Sequence, residues 1–107
     1  MRLTAIDRLR ARVVQWSKQL RVQPTQIRIQ DMTRKWGSCS SSGWVTFSSD
    51  LARKRVAFQD YVIVHELLHL RTRNHGKLFR STLRAYLGDN PWAATWPGSA
   101  WKERKQI

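Results

Sequence analysis

Residues 65–69 read His65-Glu66-Leu67-Leu68-His69, two histidines four apart with a glutamate between them. On a helix, positions i and i+4 lie one turn apart on one face, so both imidazoles can reach one metal ion. Glu66 is turned about 100° from its neighbour His65 and is poorly placed to share the first coordination shell. It can reach a water that the metal holds, the position of a general base in a zinc hydrolase. The surrounding helix is strongly apolar, so three polar groups inside it need a reason.

All three histidines of the chain fall within residues 65–75, which makes His75 the expected third ligand. An unbroken helix would carry His75 about 15 Å along the axis from His65, too far to converge on the same ion. The chain must therefore bend after His69. Asn74 tolerates a left-handed backbone and Gly76 is permissive, so a reversal over residues 73–76 is chemically sensible. The spacing matches the long metzincin pattern, but Thr72 stands where that pattern has its glycine, which argues against a true metzincin. Two other readings of the histidines stand beside the catalytic one. They can be satisfied core or surface groups, or they can hold a structural ion closed by Cys39 as fourth ligand.

The elements that must position these groups follow from the apolar spacing. Leu3, Ile6, Leu9, Val13, Trp16 and Leu20 form the stripe of an amphipathic helix, which Pro24 stops. Ile27–Met32 alternates with period two and reads as a strand. Residues 36–43 are a turn region of small residues, and Trp44–Ser48 is a second strand. Phe58–Thr72 is a helix apolar around much of its circumference, hence central, with Asp60 in its first turn. A further helix spans Gly76–Leu87, with Phe79 and Leu83 on its inner side and Gly88 as C-terminal cap. The tail, Asp89–Ile107, holds three of the six tryptophans and is expected to pack on the domain or to cover the cleft. The fold class expected is α+β: a small, mostly antiparallel sheet on an active-site helix and a backing helix, preceded by an amphipathic helix.

With 107 residues, the chain is long enough for one domain, taken as residues 1–107. Hydrophobic residues make up 41%, so global disorder is excluded. Lys and Arg number 20 against 7 acidic residues, a formal charge of +13, which points to an anionic partner or surface. A basic nucleic-acid-associated, metal-binding module without turnover is therefore the rival reading, although no base-reading motif accompanies the charge. One cysteine excludes an intrachain disulfide framework and suits a reducing compartment. No run approaches the ~20 apolar residues of a membrane span, and no signal-peptide block is present, so a cytoplasmic protein is expected.

Taken together, Lys35-Trp36-Gly37-Ser38-Cys39-Ser40, then Tyr61–Leu70 around the two histidines, then Asn74-His75 and Phe79 resemble the YgjP-like metallopeptidase family. That family is similar to the SprT-like and minimal gluzincin-type metallopeptidases. Gly76 stands where serine is common and Arg80 where tryptophan commonly follows the phenylalanine, and the N-terminal portion is shorter than in full-length members. The resemblance implies a zincin-like domain whose sheet offers an edge strand to the cleft. It also implies Zn²⁺ held at His65, His69 and His75, Glu66 as catalytic base, and hydrolysis of a protein or peptide. A substrate strand would then add beside Trp44–Ser48, with Trp36, Ser38, Trp44 and Thr46 as candidate substrate-binding residues. For the oxyanion, Tyr86, Arg73 and Arg80 are conceivable helpers whose ordinary roles are packing and solvation. A latent protease remnant is the remaining alternative.

Overall fold

A computed structural model of the chain describes residues 3–74 and 76–94. Helix α1 spans Ala5–Leu20. It opens with a reciprocal cap: the Asp7 amide donates to Thr4 Oγ1 and the Thr4 amide to Asp7 Oδ2, each at 3.0 Å. It closes at Arg21, which adopts the left-handed conformation (φ 57°), with the Val22 amide bonded back to the Ser17 carbonyl at 3.0 Å. Leu9, Val13 and Leu20 turn inward as the stripe requires, whereas Leu3 lies ahead of the helix and is exposed.

Three strands follow: β1 (Gln26–Gln30), β2 (Gly37–Cys39) and β3 (Trp44–Ser48). Their order is β1-β3-β2. The sheet is mixed, where antiparallel pairing was expected to prevail: β1 runs parallel to β3, and β2 antiparallel to it. The tight β2–β3 turn forces the antiparallel pair. Gly43 sits in that turn at φ 89°, and a β-carbon there would stand 2.6 Å from Thr25 Oγ1, so both backbone and space call for glycine. The chain reverses between β1 and β2, and β1 takes the far side of β3, which makes those two parallel. Val45 and Phe47 face the core beside Ile27 and Ile29 of β1.

A 3-10 turn (Ser49–Arg53) leads to α2, Val56–Leu68. Every residue of α2 from Tyr61 to Leu68 is buried, as its all-round apolar character requires. The helix starts two residues earlier than its spacing suggests and stops at Leu68, with His69 as its C-cap; residues 69–72 form a turn rather than more helix. Helix α3 (Lys77–Leu87) packs Phe79 and Leu83 inward. Gly88 stays right-handed (φ −47°) and is not a left-handed cap. A short helix α4, Pro91–Ala94, brings Trp92 edge-on to Phe58 at 4.8 Å. The remaining tail tryptophans, Trp96 and Trp101, lie outside the described residues, as does any covering of the cleft by them.

Candidate active site

The C-terminal half of α2 carries His65, Glu66 and His69, with 0%, 0% and 8% of their surfaces exposed. The imidazoles of His65 and His69 face each other across one helical turn, centroids 5.2 Å apart and planes at 74°. Phe79 of α3 packs against both: it meets His65 edge-on at 5.2 Å and stacks on His69 at 5.1 Å with 29° between the planes. Tyr61, one turn earlier, lies 5.9 Å from His65. His65 is thus held between two aromatic rings, and His69 is stacked on one of them.

Where α2 ends, the turn supplies a backbone orienter. His69 Nδ1 lies 3.1 Å from the Thr72 carbonyl oxygen. A carbonyl can only accept, so Nδ1 is the donor of this contact, which leaves Nε2 as the nitrogen a metal would take in the neutral ring. This is the tautomer a divalent-metal ligand needs. An imidazole so oriented, one turn from a second buried imidazole, fits zinc as a donor pair. Among the described residues no three His, Cys, Asp or Glu side chains gather around one point. His75 lies outside the described residues.

Glu66 is placed by the sheet as much as by its own helix. Gly37 of β2 lies so close that a β-carbon on it would stand 2.9 Å from Glu66 Cγ and 3.3 Å from both Phe47 Cδ1 and Val62 Cγ1. Glycine in a strand interior here marks a close approach between elements. Among the described residues the edge strand beside the site is β2; β3 is bonded on both sides, which corrects the expectation that substrate adds beside Trp44–Ser48. The Trp36 carbonyl and Ser40 amide bond to β3 at 2.9 Å. By strand alternation, the amide and carbonyl groups of Gly37 and Cys39 then point away from β3 along the open edge.

The candidate substrate-binding residues fall elsewhere. Trp36 is a core residue, 1% exposed, edge-on to Phe58 at 5.3 Å. Ser38 pairs with Thr46, and Trp44 and Thr46 alternate with the core-facing Val45 and Phe47. These three side chains project from the face opposite Glu66. Trp44 instead lies under the Arg28 guanidinium at 5.4 Å. Of the conceivable oxyanion helpers, Tyr86 packs on α1, where its hydroxyl donates to the Gln19 carbonyl at 3.3 Å. Arg80 is exposed on α3, and Arg73 donates to the Cys39 carbonyl on the open edge at 3.2 Å.

A cleft of about 470 Å³ borders His69, between the α1 end, the β2–β3 turn and the turn after α2. A larger cavity of about 570 Å³, between Thr4–Ile6 and Ser48–Arg53, holds none of the histidines and does not touch Glu66.

Solved metallopeptidase structures share this fold. The crystal structure of the metallopeptidase zymogen jannalysin of Methanocaldococcus jannaschii superposes with a TM-score of 0.69 at 25% identity, covering 77% of this chain and 84% of that one. The zymogen abylysin of Pyrococcus abyssi gives 0.61 at 19% identity over 71% and 76%, a likeness of fold. The family model described as YgjP-like, metallopeptidase domain, matches residues 1–96, and the chain belongs to that family. It is a metallopeptidase-type hydrolase of α+β fold. No curated protein matches the chain. No helix of the described residues is long and apolar enough to cross a membrane.

Proposed function

We propose that the chain is a zinc-dependent peptidase in which His65, His69 and His75 hold the ion and Glu66 is the general base. When bound, zinc supplies Lewis acidity, lowering the pKa of a coordinated water toward neutrality and polarising a carbonyl. Glu66 accepts the proton of the attacking water and passes it to the leaving amine nitrogen. Phe79 and the Thr72 carbonyl fix the imidazole planes. The outward backbone groups of Gly37 and the Cys39 amide offer hydrogen bonds to an extended peptide, while the Cys39 carbonyl accepts from Arg73. A cytoplasmic setting goes with this reading, since the lone Cys39 suits a reducing compartment.

The observation that carries the proposal is the buried Glu66, its Cγ packed under Gly37, one residue from a buried imidazole on the apolar helix. Removing metal from the full-length chain should abolish peptide hydrolysis, and one equivalent of zinc should restore it. Undiminished hydrolysis after complete metal removal would refute the proposal. The likeness to a metallopeptidase zymogen favours a second reading, a latent form. A full-length chain that is inert with zinc bound but gains activity on limited proteolysis would carry that reading.

A further inference from the structure

The cleft beside His69 carries three arginines: Arg21 from the end of α1, and Arg71 and Arg73 from the turn after α2. Ser40 and Ser42 of the β2–β3 turn complete its rim, their hydroxyls 2.9 Å apart. No Asp or Glu is among the described residues that line it. All three guanidinium groups belong to exposed residues, and like charges gathered together repel, so the arrangement favours an anion in the cleft.

Two of the arginines are tied in place by backbone carbonyls. Arg73 Nη1 donates to Cys39 O on the open edge of β2, and Arg71 Nη1 to Leu20 O at the end of α1 at 3.5 Å. Each guanidinium has five donors, so one such bond orients the group and leaves others for a carboxylate. A peptide laid along Gly37–Cys39 passes Glu66 at Gly37 and meets Arg73 at Cys39.

We infer that this cleft is a specificity subsite for a carboxylate of the substrate peptide, an Asp or Glu side chain or the C-terminal α-carboxylate, a residue or two from the scissile bond. The identity of the ligand as a peptide rests on the peptidase reading above. Charge complementarity sets the preference, so it weakens as salt rises.

The test reads binding, so that it stands apart from turnover. Fluorescence anisotropy would follow labelled peptides with the full-length Glu66→Gln chain at low ionic strength. The peptides carry Glu or isosteric Gln at successive positions, with both ends blocked, and a further Gln peptide has a free C-terminus. A carboxylate-bearing peptide should bind about 5- to 10-fold more tightly than its neutral partner. Which of the two carboxylate sources gives the gain identifies the ligand. The gain should vanish in Arg71→Ala/Arg73→Ala and persist in Arg8→Ala, which removes a charge about 20 Å away along α1. Circular dichroism of the variants separates lost binding from lost fold, and the single Arg71→Ala serves if the double variant unfolds. Equal affinities for charged and neutral peptides, or a preference that survives the double substitution, would overturn the inference. So would an oligonucleotide that binds more tightly than any peptide and is lost in the same variant. If discrimination holds while the zinc-loaded wild-type chain hydrolyses none of these peptides, before or after limited proteolysis, the peptidase reading fails and the anion-binding cleft stands.

Discussion

Gly37 and Glu66 are in contact across the boundary between sheet and helix: a β-carbon on Gly37 would come within 2.9 Å of Glu66 Cγ. That atom is in the middle of the Glu66 side chain, and the same β-carbon would crowd Phe47 Cδ1 and Val62 Cγ1 at 3.3 Å, so it fits only if the Glu66 side chain shifts. Gly37→Ala should therefore displace Glu66, the proposed base, and leave the histidines in place. Peptide hydrolysis should fall about 10²-fold while zinc content stays near one per chain, because small misplacements of a catalytic group carry costs of that size. Metal analysis beside a peptidase assay checks this, and full activity in the variant would remove Gly37 from the positioning of Glu66.

Phe79 is the wedge that holds both imidazoles, packed on His65 and His69 from α3. Phe79→Ala should destabilise the fold by about 3–5 kcal/mol, the usual cost of emptying a buried phenylalanine site. It should also weaken zinc binding about 10-fold or more, as loss of ring-orienting groups does. Calorimetry and competition titration read the two effects. Phe79→Leu keeps more of the volume and should show the same pattern, smaller in both.

Asp60 ties α1 to α2. Its Oδ1 accepts from Arg12 Nη2 at 2.6 Å and from Trp16 Nε1 at 2.9 Å. The Arg12 side chain is 32% exposed, so solvent screens the ion pair and much of its Coulomb energy is lost. Asp60→Ala should cost about 1–2 kcal/mol, mostly from the two lost hydrogen bonds. Asp60→Asn keeps an acceptor oxygen and should cost less. Urea unfolding with an unchanged slope would show that the native contact is what was lost.

The cap of α1 gives a pH dependence. Backbone and side-chain hydrogen bonds from Thr4 hold the Asp7 carboxyl below its ordinary value, helped by Arg10 and Arg8. A carboxyl whose folded pKa is lowered stabilises the fold above its unfolded pKa, and that contribution is lost as pH falls through the folded value. The stability gap between wild type and Asp7→Asn should thus be constant near neutrality and close as pH drops below roughly 4. A gap independent of pH from neutrality to pH 2 would show that Asp7 acts through packing alone.

The parts of the site legible in the sequence are those written in period and spacing. An apolar run from Tyr61 to Leu70 announces a buried helix, and the four-residue interval of His65 and His69 puts both rings on one side of it. Capping was also readable: Thr4 and Asp7 stand at the interval of a reciprocal cap, although the apolar stripe beginning at Leu3 draws the eye past it. Less legible is what depends on elements distant in sequence. Residues 37–39 read Gly-Ser-Cys, too short and small to signal a strand, yet they form the open edge, and β3 is covered on both sides. With that strand hidden, Trp44 and Thr46 look like cleft residues when they face the other way. The orienter of His69 is a backbone carbonyl at Thr72, which any residue type would supply, so no sequence signal marks it.

The most direct test is Glu66→Gln in the full-length, zinc-loaded chain, with turnover and metal content measured on one preparation. The substitution keeps shape and burial and removes the basic oxygen. Peptide hydrolysis should fall about 10²- to 10⁴-fold with zinc still bound at one per chain. Hydrolysis at the wild-type rate in that protein would contradict the assignment of Glu66 as the base.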